Sequence, residues 1–592
     1  MSEKLNSKEY SWDFSRLYSN ISEWEKDLQL YVDANKKIKN LEGKLSNQHD
    51  FQTYLNLDFE ANQFFSRLNL FMRQLDVDQT QITFQKYDAI FRNTVHKVER
   101  DLSFLEPEIL ALDSEQVLEW VKASKQSQYF NNFKILFANK KHYLSADSEK
   151  LLSIVAKSRQ NSQEIYQTLA YADKTQATFK FQGKNIVVDN TFYKKICEDS
   201  DPHKDQKLRR EVYNLFFNGY FKNKFSFTKI YEGILAEHYE TALIRNFQSA
   251  LEMKLNDDLV PTEVYEKLLE IGKQNIQPLK DYYLLIKNYH GLKTFNSTDR
   301  ELKLVRDFSK KYSIPEGKKI VREALQVLGE EYQTYLDIAL KVGNIDYIEN
   351  PNKVSGAYST GAQNHDPVIL MNWDDKLSSV STLAHEVGHS VHTLFADKNN
   401  KFPLNDYPII LAEVSSTFSE HILFDYLLKH TNSDSEKIYL LQQRVFDMIS
   451  TFYRQIQFAE FEYQVHKLVQ EQLPLTADIL MELYKNIENQ YGYDLFDDKK
   501  REVYHWAYVS HFFESPFYVY KYALDLVASF KLYNDFKNGK QTIIQLVKAG
   551  GSQPPLEILK QCGVDFTDPK TYAPLIEEIK NLVQELKQLL LR

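Results

Sequence analysis

The chain has 592 residues, enough for more than one compact unit. Its net charge of −9 is spread thinly and offers no basic surface for nucleic acid, while 43 % apolar and 26 % charged residues mark an ordinary globular composition. No run approaches the roughly 20 apolar residues of a membrane-spanning helix, so no membrane partner is expected.

The first fifteen residues (MSEKLNSKEYSWDFS) are polar and carry no apolar core for export. The two cysteines, Cys197 and Cys562, lie far apart and belong to no C-x-x-C pair. Both features lead us to expect a cytoplasmic protein with two reduced thiols. Gly and Pro number 17 and 15, about half their usual combined share, so the chain should be mainly α, with long helices and short connections. The 38 Tyr and 38 Phe would fill wide helix–helix interfaces.

Apolar residues recur at three- and four-residue spacing through 21–36, 50–75, 81–102 and 145–171, which predicts successive amphipathic helices. No fixed period repeats, which disfavours a regular solenoid. Residues 178–188 (TFKFQGKNIVV) alternate around Gln182-Gly183-Lys184 and predict a β-hairpin. This hairpin is taken as a junction, dividing an N-terminal helical region (1–195) from a larger domain (196–592). Helices resume near Asp205, and Pro261 followed by Thr262 marks another helix start. Residues 350–373 break the pattern with Pro351, Gly356, Gly361 and Pro367. They end in Val368-Ile369-Leu370-Met371-Asn372-Trp373, the strongest strand signal in the chain.

The next segment, 378–397, predicts a helix with Ser378 or Ser379 as cap. Val380, Ala384, Val387, Val391 and Leu394 form one apolar stripe on it, and His385, His389 and His392 fall on another side. Within it stands His385-Glu386-Val387-Gly388-His389, an H-E-x-x-H sequence. Histidines four apart on a helix project from one face and suit one zinc ion. The adjacent Glu386 can take a proton from a water that the zinc acidifies. A catalytic zinc needs a third protein ligand and an open position. His392 sits one turn beyond the pair, and a straight helix does not converge three such imidazoles, so it is read as a supporting or structural group. The better candidate is Glu413 on the strong helix predicted over 410–424, since a carboxylate on an apolar helix is costly unless paired or metal-bound. Glu420, seven residues on and near the same face, is a candidate to orient a ligand histidine through its other ring nitrogen.

These residues resemble a known family. HEVGHSVH followed at this distance by LAEVSSTF resembles the thimet oligopeptidase-like zinc metallopeptidases, closest to their oligoendopeptidase F branch. SWDFSRLY, DLVPTEVYEKL, VSGAYS running into VILMNW, and SHFFESPFYVYKYA agree with that branch, so the resemblance spans most of the chain. Val387 and the loop 361–367 (GAQNHDP) depart locally from the pattern and bear on substrate fit rather than on the ligands.

The resemblance implies a mainly α fold, with two helical lobes flanking a deep substrate channel and a small β-sheet beside the zinc-binding helix. It implies a zinc-dependent oligoendopeptidase, one zinc per chain, acting on internal bonds of short to medium unstructured peptides. His385, His389 and Glu413 match the zinc ligands and Glu386 the catalytic glutamate. Gly356, Ala357 and Tyr358 match a mobile substrate-contacting loop. Val368, Leu370 and Asn372 belong to the segment matching an edge strand that pairs with substrate backbone, a mode that needs an extended peptide and tolerates varied sequence. Residues 505–522 are rich in hydrogen-bond donors; from the family's pattern His511, Tyr518 and Tyr520 are assigned to stabilise the oxyanion.

Overall fold

The computed structural model describes residues 9–174, 176–305 and 310–592; the first eight residues of the polar N-terminal stretch lie outside the described residues. The chain is mainly α with two small sheets. It forms two compact units, each drawn from three stretches: Met1–Tyr143, Ser309–Tyr426 and Asp535–Gly563 in the first; Leu144–Phe308, Leu427–Asn534 and Val564–Arg592 in the second. A single division at residue 195 and these interleaved units are different partitions of the chain. Among the described residues, no helix is long and apolar enough to cross a membrane. Cys197 and Cys562 are free and buried, and burial pushes their thiols up to about 12 and about 11.

In the first unit, helices Ile21–Lys39 and Gln48–Met72 pack on each other, and Ile82–Asp101 packs against both. Asn20 and Asn47 cap the first two by accepting the N–H of Glu23 and Asp50. Trp24, Ala61, Leu68, Phe71 and Phe91 form the core between them. The periodicity located all three helices to within a few residues. The segment expected as one helix over 145–171 is instead Ala146–Arg159, Asn161–Gln167 and a π-turn at Thr168–Ala172.

The hairpin forms as predicted, from β1 (Thr178–Phe181) and β2 (Lys184–Val187). Gln182 and Gly183 make its two-residue turn, with φ of 49° and 82°. Two positive φ values mark the type I′ geometry that matches strand twist.

The second sheet lies in the first unit and comprises β3 (Ile345–Ile348), β4 (Tyr358–Thr360) and β5 (Val368–Trp373), in the order β3-β5-β4. β5 runs parallel to β3 and antiparallel to β4. It is therefore the central strand, and its apolar run is buried except at Asn372. The assignment of Val368, Leu370 and Asn372 to an edge strand is corrected: backbone groups of β5 are taken by a neighbour on each side. The edge strands are β3 and β4.

Candidate metal centre

The motif helix runs Leu377–Asn399 and packs against β4 and β5. Neither Ser378 nor Ser379 caps it. Lys376 is the N-cap, and Ser379 Oγ, in the first turn, donates to Asp374 Oδ1 at 2.7 Å. Val380, Leu383, Ala384, Val387, Val391 and Phe395 are fully buried, which anchors the helix in the core. At about 1.5–3 kcal/mol for each large side chain, this burial holds the helix rigidly enough to present ligands. Leu394, expected in the stripe, is only half-buried.

The partner helix is Ile409–His430. It crosses the motif helix at Gly388, where a Cβ would lie 2.7 Å from Ser416 Cα, 2.8 Å from Ser419 Oγ and 3.1 Å from the Ser415 carbonyl oxygen. Ser415 Oγ donates to the Gly388 carbonyl at 3.2 Å. This close approach brings Glu413 to the two histidines. Gly388 is a sterically constrained position that the motif reading passed over. Its one sequence signal is a glycine inside a helix, which costs about 1 kcal/mol relative to alanine and so invites a reason.

His385 Nε2 lies 3.2 Å from His389 Nε2 and 3.3 Å from Glu413 Oε2, and His389 Nε2 lies 3.8 Å from the same oxygen. An ion held tetrahedrally at about 2.0–2.2 Å by each ligand sets ligand atoms about 3.3–3.6 Å apart, so the donor set fits zinc in spacing and in chemistry. His385 Nδ1 is 2.6 Å from Glu420 Oε1, which leaves Nε2 turned to the cluster. Among the described residues, these three are the group whose ligand atoms converge in this way.

Glu386 is buried, and its Oε2 has no hydrogen-bond partner. The backbone N–H of Ser359, in β4, donates to its carboxylate. Burial is the main force pushing its pKa up, to about 7; His385 opposes this, Glu413 and Glu420 add to it, and the Ser359 bond draws it down. A carboxylate so poised suits proton transfer near neutral pH.

His392 stands apart from the cluster. It is fully buried and stacked on Tyr407, with ring centroids 3.7 Å apart and planes 12° apart. Neither ring nitrogen has a hydrogen-bond partner, and burial holds the ring neutral, with its pKa down at about 3.

A cavity of about 620 Å³ opens beside the cluster, lined by residues 357–363 and by His385, Glu386, His389, Thr393 and Glu413. Ala357 and Tyr358 are at its wall. The loop before β4 is pinned: Asn372 Nδ2 donates to the Val354 and Gly356 carbonyls at 2.9 and 2.8 Å, and Tyr358 Oη donates to Asp76 at 2.6 Å. Asn372 thus holds the loop, a role different from the peptide contact expected of it. Gly356 takes φ +82°, open to glycine without strain.

His511, Tyr518 and Tyr520 belong to the second unit. The His511 and Tyr518 rings stack, with centroids 5.8 Å apart, and Tyr522 stands edge-on to both. Tyr520 is a correction to the donor set: it is fully buried, and its hydroxyl donates to Asp258 Oδ2 at 3.3 Å.

The profile of Peptidase family M3 matches residues 202–577, and that of Oligopeptidase F matches residues 108–175. An oligoendopeptidase F homolog of Borreliella burgdorferi is 31 % identical over 98 % of both chains. The oligopeptidase PepF of Bacillus subtilis is 27 % identical over 99 % of this chain and 88 % of its own. A solved protein of Chlamydophila abortus superposes with a TM-score of 0.88 at 27 % identity over 99 % of both chains. The oligoendopeptidase-F of Enterococcus faecium gives 0.70 at 23 % identity, over 96 % of this chain and 99 % of its own, a likeness of fold.

Proposed function

The chain belongs to peptidase family M3, in its oligopeptidase F branch, and is a metallopeptidase; from that premise we propose a zinc-dependent oligoendopeptidase acting on short to medium unstructured peptides. The observation that carries this reading is the convergence of His385 Nε2, His389 Nε2 and Glu413 Oε2 beside the unpartnered Oε2 of Glu386. His385, His389 and Glu413 would hold one zinc per chain. Bound there, zinc supplies Lewis acidity, which acidifies water and polarises the scissile carbonyl.

The chain's own residues supply the rest. Glu386 takes a proton from the attacking water and passes it to the leaving amine as the C–N bond breaks. Its pKa near 7 serves both transfers. β4 lies along the cavity wall with a free strand edge, so an extended peptide can pair backbone to backbone with Tyr358–Thr360. Such pairing requires an unfolded segment and reads little of its sequence. A cavity of this size takes a few residues of an extended chain and not a folded domain. His511 and Tyr518 are proposed as oxyanion donors on the family's pattern and their chemical type.

The test is cleavage of a quenched peptide blocked at both ends, with and without chelator, and mass-spectrometric mapping of the products. Internal cleavage abolished by chelator and restored by zinc is expected. No cleavage of the blocked peptide, with release of single residues from free N-termini, would point to an aminopeptidase instead.

A further inference from the structure

The segment between the two proposed oxyanion donors holds a strained backbone turn. Phe517 carries a side chain, yet its φ is +53°, in the left-handed region. Such a conformation is unfavourable for any residue but glycine and persists only where the surroundings enforce it. Phe517 is buried and stands directly before Tyr518. It lies between the short helix His511–Glu514 and the helix Tyr520–Lys537. The His511 and Tyr518 rings, one on each side of it, are stacked 15° from parallel.

Two side chains on one face of the helix Tyr453–Gln470, in the same unit, enforce the turn. The buried Glu462 accepts the Phe517 N–H at Oε1, 2.7 Å away. His466, one helical turn on, lays its ring 4.3 Å from the Phe517 ring. Its Nδ1 donates to the Glu462 carbonyl oxygen at 2.9 Å, which fixes the imidazole in place. Tyr265 meets the Phe517 ring edge-on at 5.9 Å. The N–H is thus held at one end of the N–Cα bond and the side chain at the other, which blocks rotation about φ. Tyr518 follows from the far side of that bond. Burial pushes the Glu462 carboxyl up to about 8, against the pull of the Phe517 bond. Near neutral pH it is therefore largely an uncharged acceptor, which a glutamine can imitate.

We propose that Glu462 is a positioning residue for the oxyanion donors: through the Phe517 N–H it holds the left-handed turn that sets the Tyr518 ring against His511. His466 backs the same turn from the side-chain end. The inference rests on the reading of His511 and Tyr518 as oxyanion donors, and adds residues that belong to neither the metal cluster nor the donor pair.

The test measures kcat, KM and Tm of the zinc-loaded full chain on a doubly blocked peptide. Tyr518→Phe, which removes one donor, is expected to lower kcat about 10²–10³-fold. Glu462→Met keeps the bulk and removes the acceptor, and should lower kcat about 10- to 100-fold at nearly unchanged KM. Glu462→Gln, which keeps an acceptor oxygen, should restore it. Because Glu462 acts through Tyr518, Glu462→Met should cost little more in the Tyr518→Phe background. A folded Glu462→Met protein with parental kcat, or losses that multiply in the double variant, would overturn the proposal. Parental kcat in Tyr518→Phe would remove the oxyanion role and with it the task assigned to Glu462, while chelator-sensitive cleavage would leave the zinc reading standing. Residue-resolved hydrogen exchange on the unsubstituted protein does not depend on any variant folding. Protection of the Phe517 amide well beyond that of exposed loop amides supports the clamp, and exchange as fast as theirs refutes it.

Discussion

His385 Nδ1 lies 2.6 Å from Glu420 Oε1, across the crossing of the two site helices. The ring donates its Nδ1–H to this carboxylate, which fixes the tautomer and turns the Nε2 lone pair toward His389 and Glu413. Partners of this kind typically contribute 10- to 100-fold to metal affinity. Glu420→Ala should therefore weaken zinc binding by about that factor, measured by competition with a chelator. Glu420→Gln, which keeps an acceptor but not the charge, should fall between. An unchanged affinity in Glu420→Ala would make Glu420 a bystander.

Glu413 and His392 are separated by opposite behaviour. Glu413→Ala removes one of three converging ligand atoms and should lower zinc content measured by elemental analysis. His392→Phe keeps a ring to stack on Tyr407 and removes two unpartnered nitrogens from the core. Replacing an unsatisfied buried polar group by an apolar one of similar shape is near neutral or stabilising. His392→Phe should thus retain zinc with an unchanged or higher Tm. Loss of zinc from His392→Phe, with zinc kept in Glu413→Ala, would reverse the ligand choice.

Gly388→Ala tests the helix crossing. Alanine gains about 1 kcal/mol of helix propensity over glycine. Against this, the new methyl would meet Ser416 Cα at 2.7 Å, and a helix backbone cannot swing aside as a side-chain tip can. Overpacking of this kind costs about 1–3 kcal/mol, so the clash wins. A lower denaturation midpoint and reduced zinc affinity are expected together, because parting the helices withdraws Glu413. A Gly388→Ala protein as stable and as zinc-replete as the parent would show that the crossing has slack.

A second pair predicts acid sensitivity. In the second unit, His238 Nδ1 and His466 Nε2 are 3.3 Å apart, with their rings parallel. Burial lowers each from the ordinary 6.5 to about 3; Lys254 adds to this for His238, and His238 adds to it for His466. The folded state thus binds fewer protons than the unfolded state between those values. Stability from the pair is fully present above pH 6.5 and is lost as pH falls toward 3. Denaturation midpoints of His466→Phe should vary less steeply over that window than those of the parent. Equal slopes would mean that the pair is not held neutral.

The metal half of the site was legible because it is local. A four-residue spacing fixes which face of a helix two side chains share, and Glu413 and Glu420 repeat that logic seven residues apart. The crossing that unites the two helices was not legible, since Gly388 matters only through what lies opposite it. The edge position of β5 was misassigned for a physical reason. A continuous apolar run such as Val368–Trp373 signals burial on both faces, which suits a central strand. The β4 edge, Tyr358–Thr360, has three half-buried residues and gives almost no pattern. Tyr520 failed for want of its partner, Asp258, 262 residues away.

In the proposed mechanism Glu386 is the acid–base group beside a metal that it does not bind. Glu386→Gln, with zinc content and turnover of a doubly blocked peptide measured on one sample, tests this most directly. Zinc near the parental stoichiometry with turnover reduced by about 10²–10⁴-fold or more is the predicted result. Full turnover by a zinc-loaded Glu386→Gln protein would contradict it.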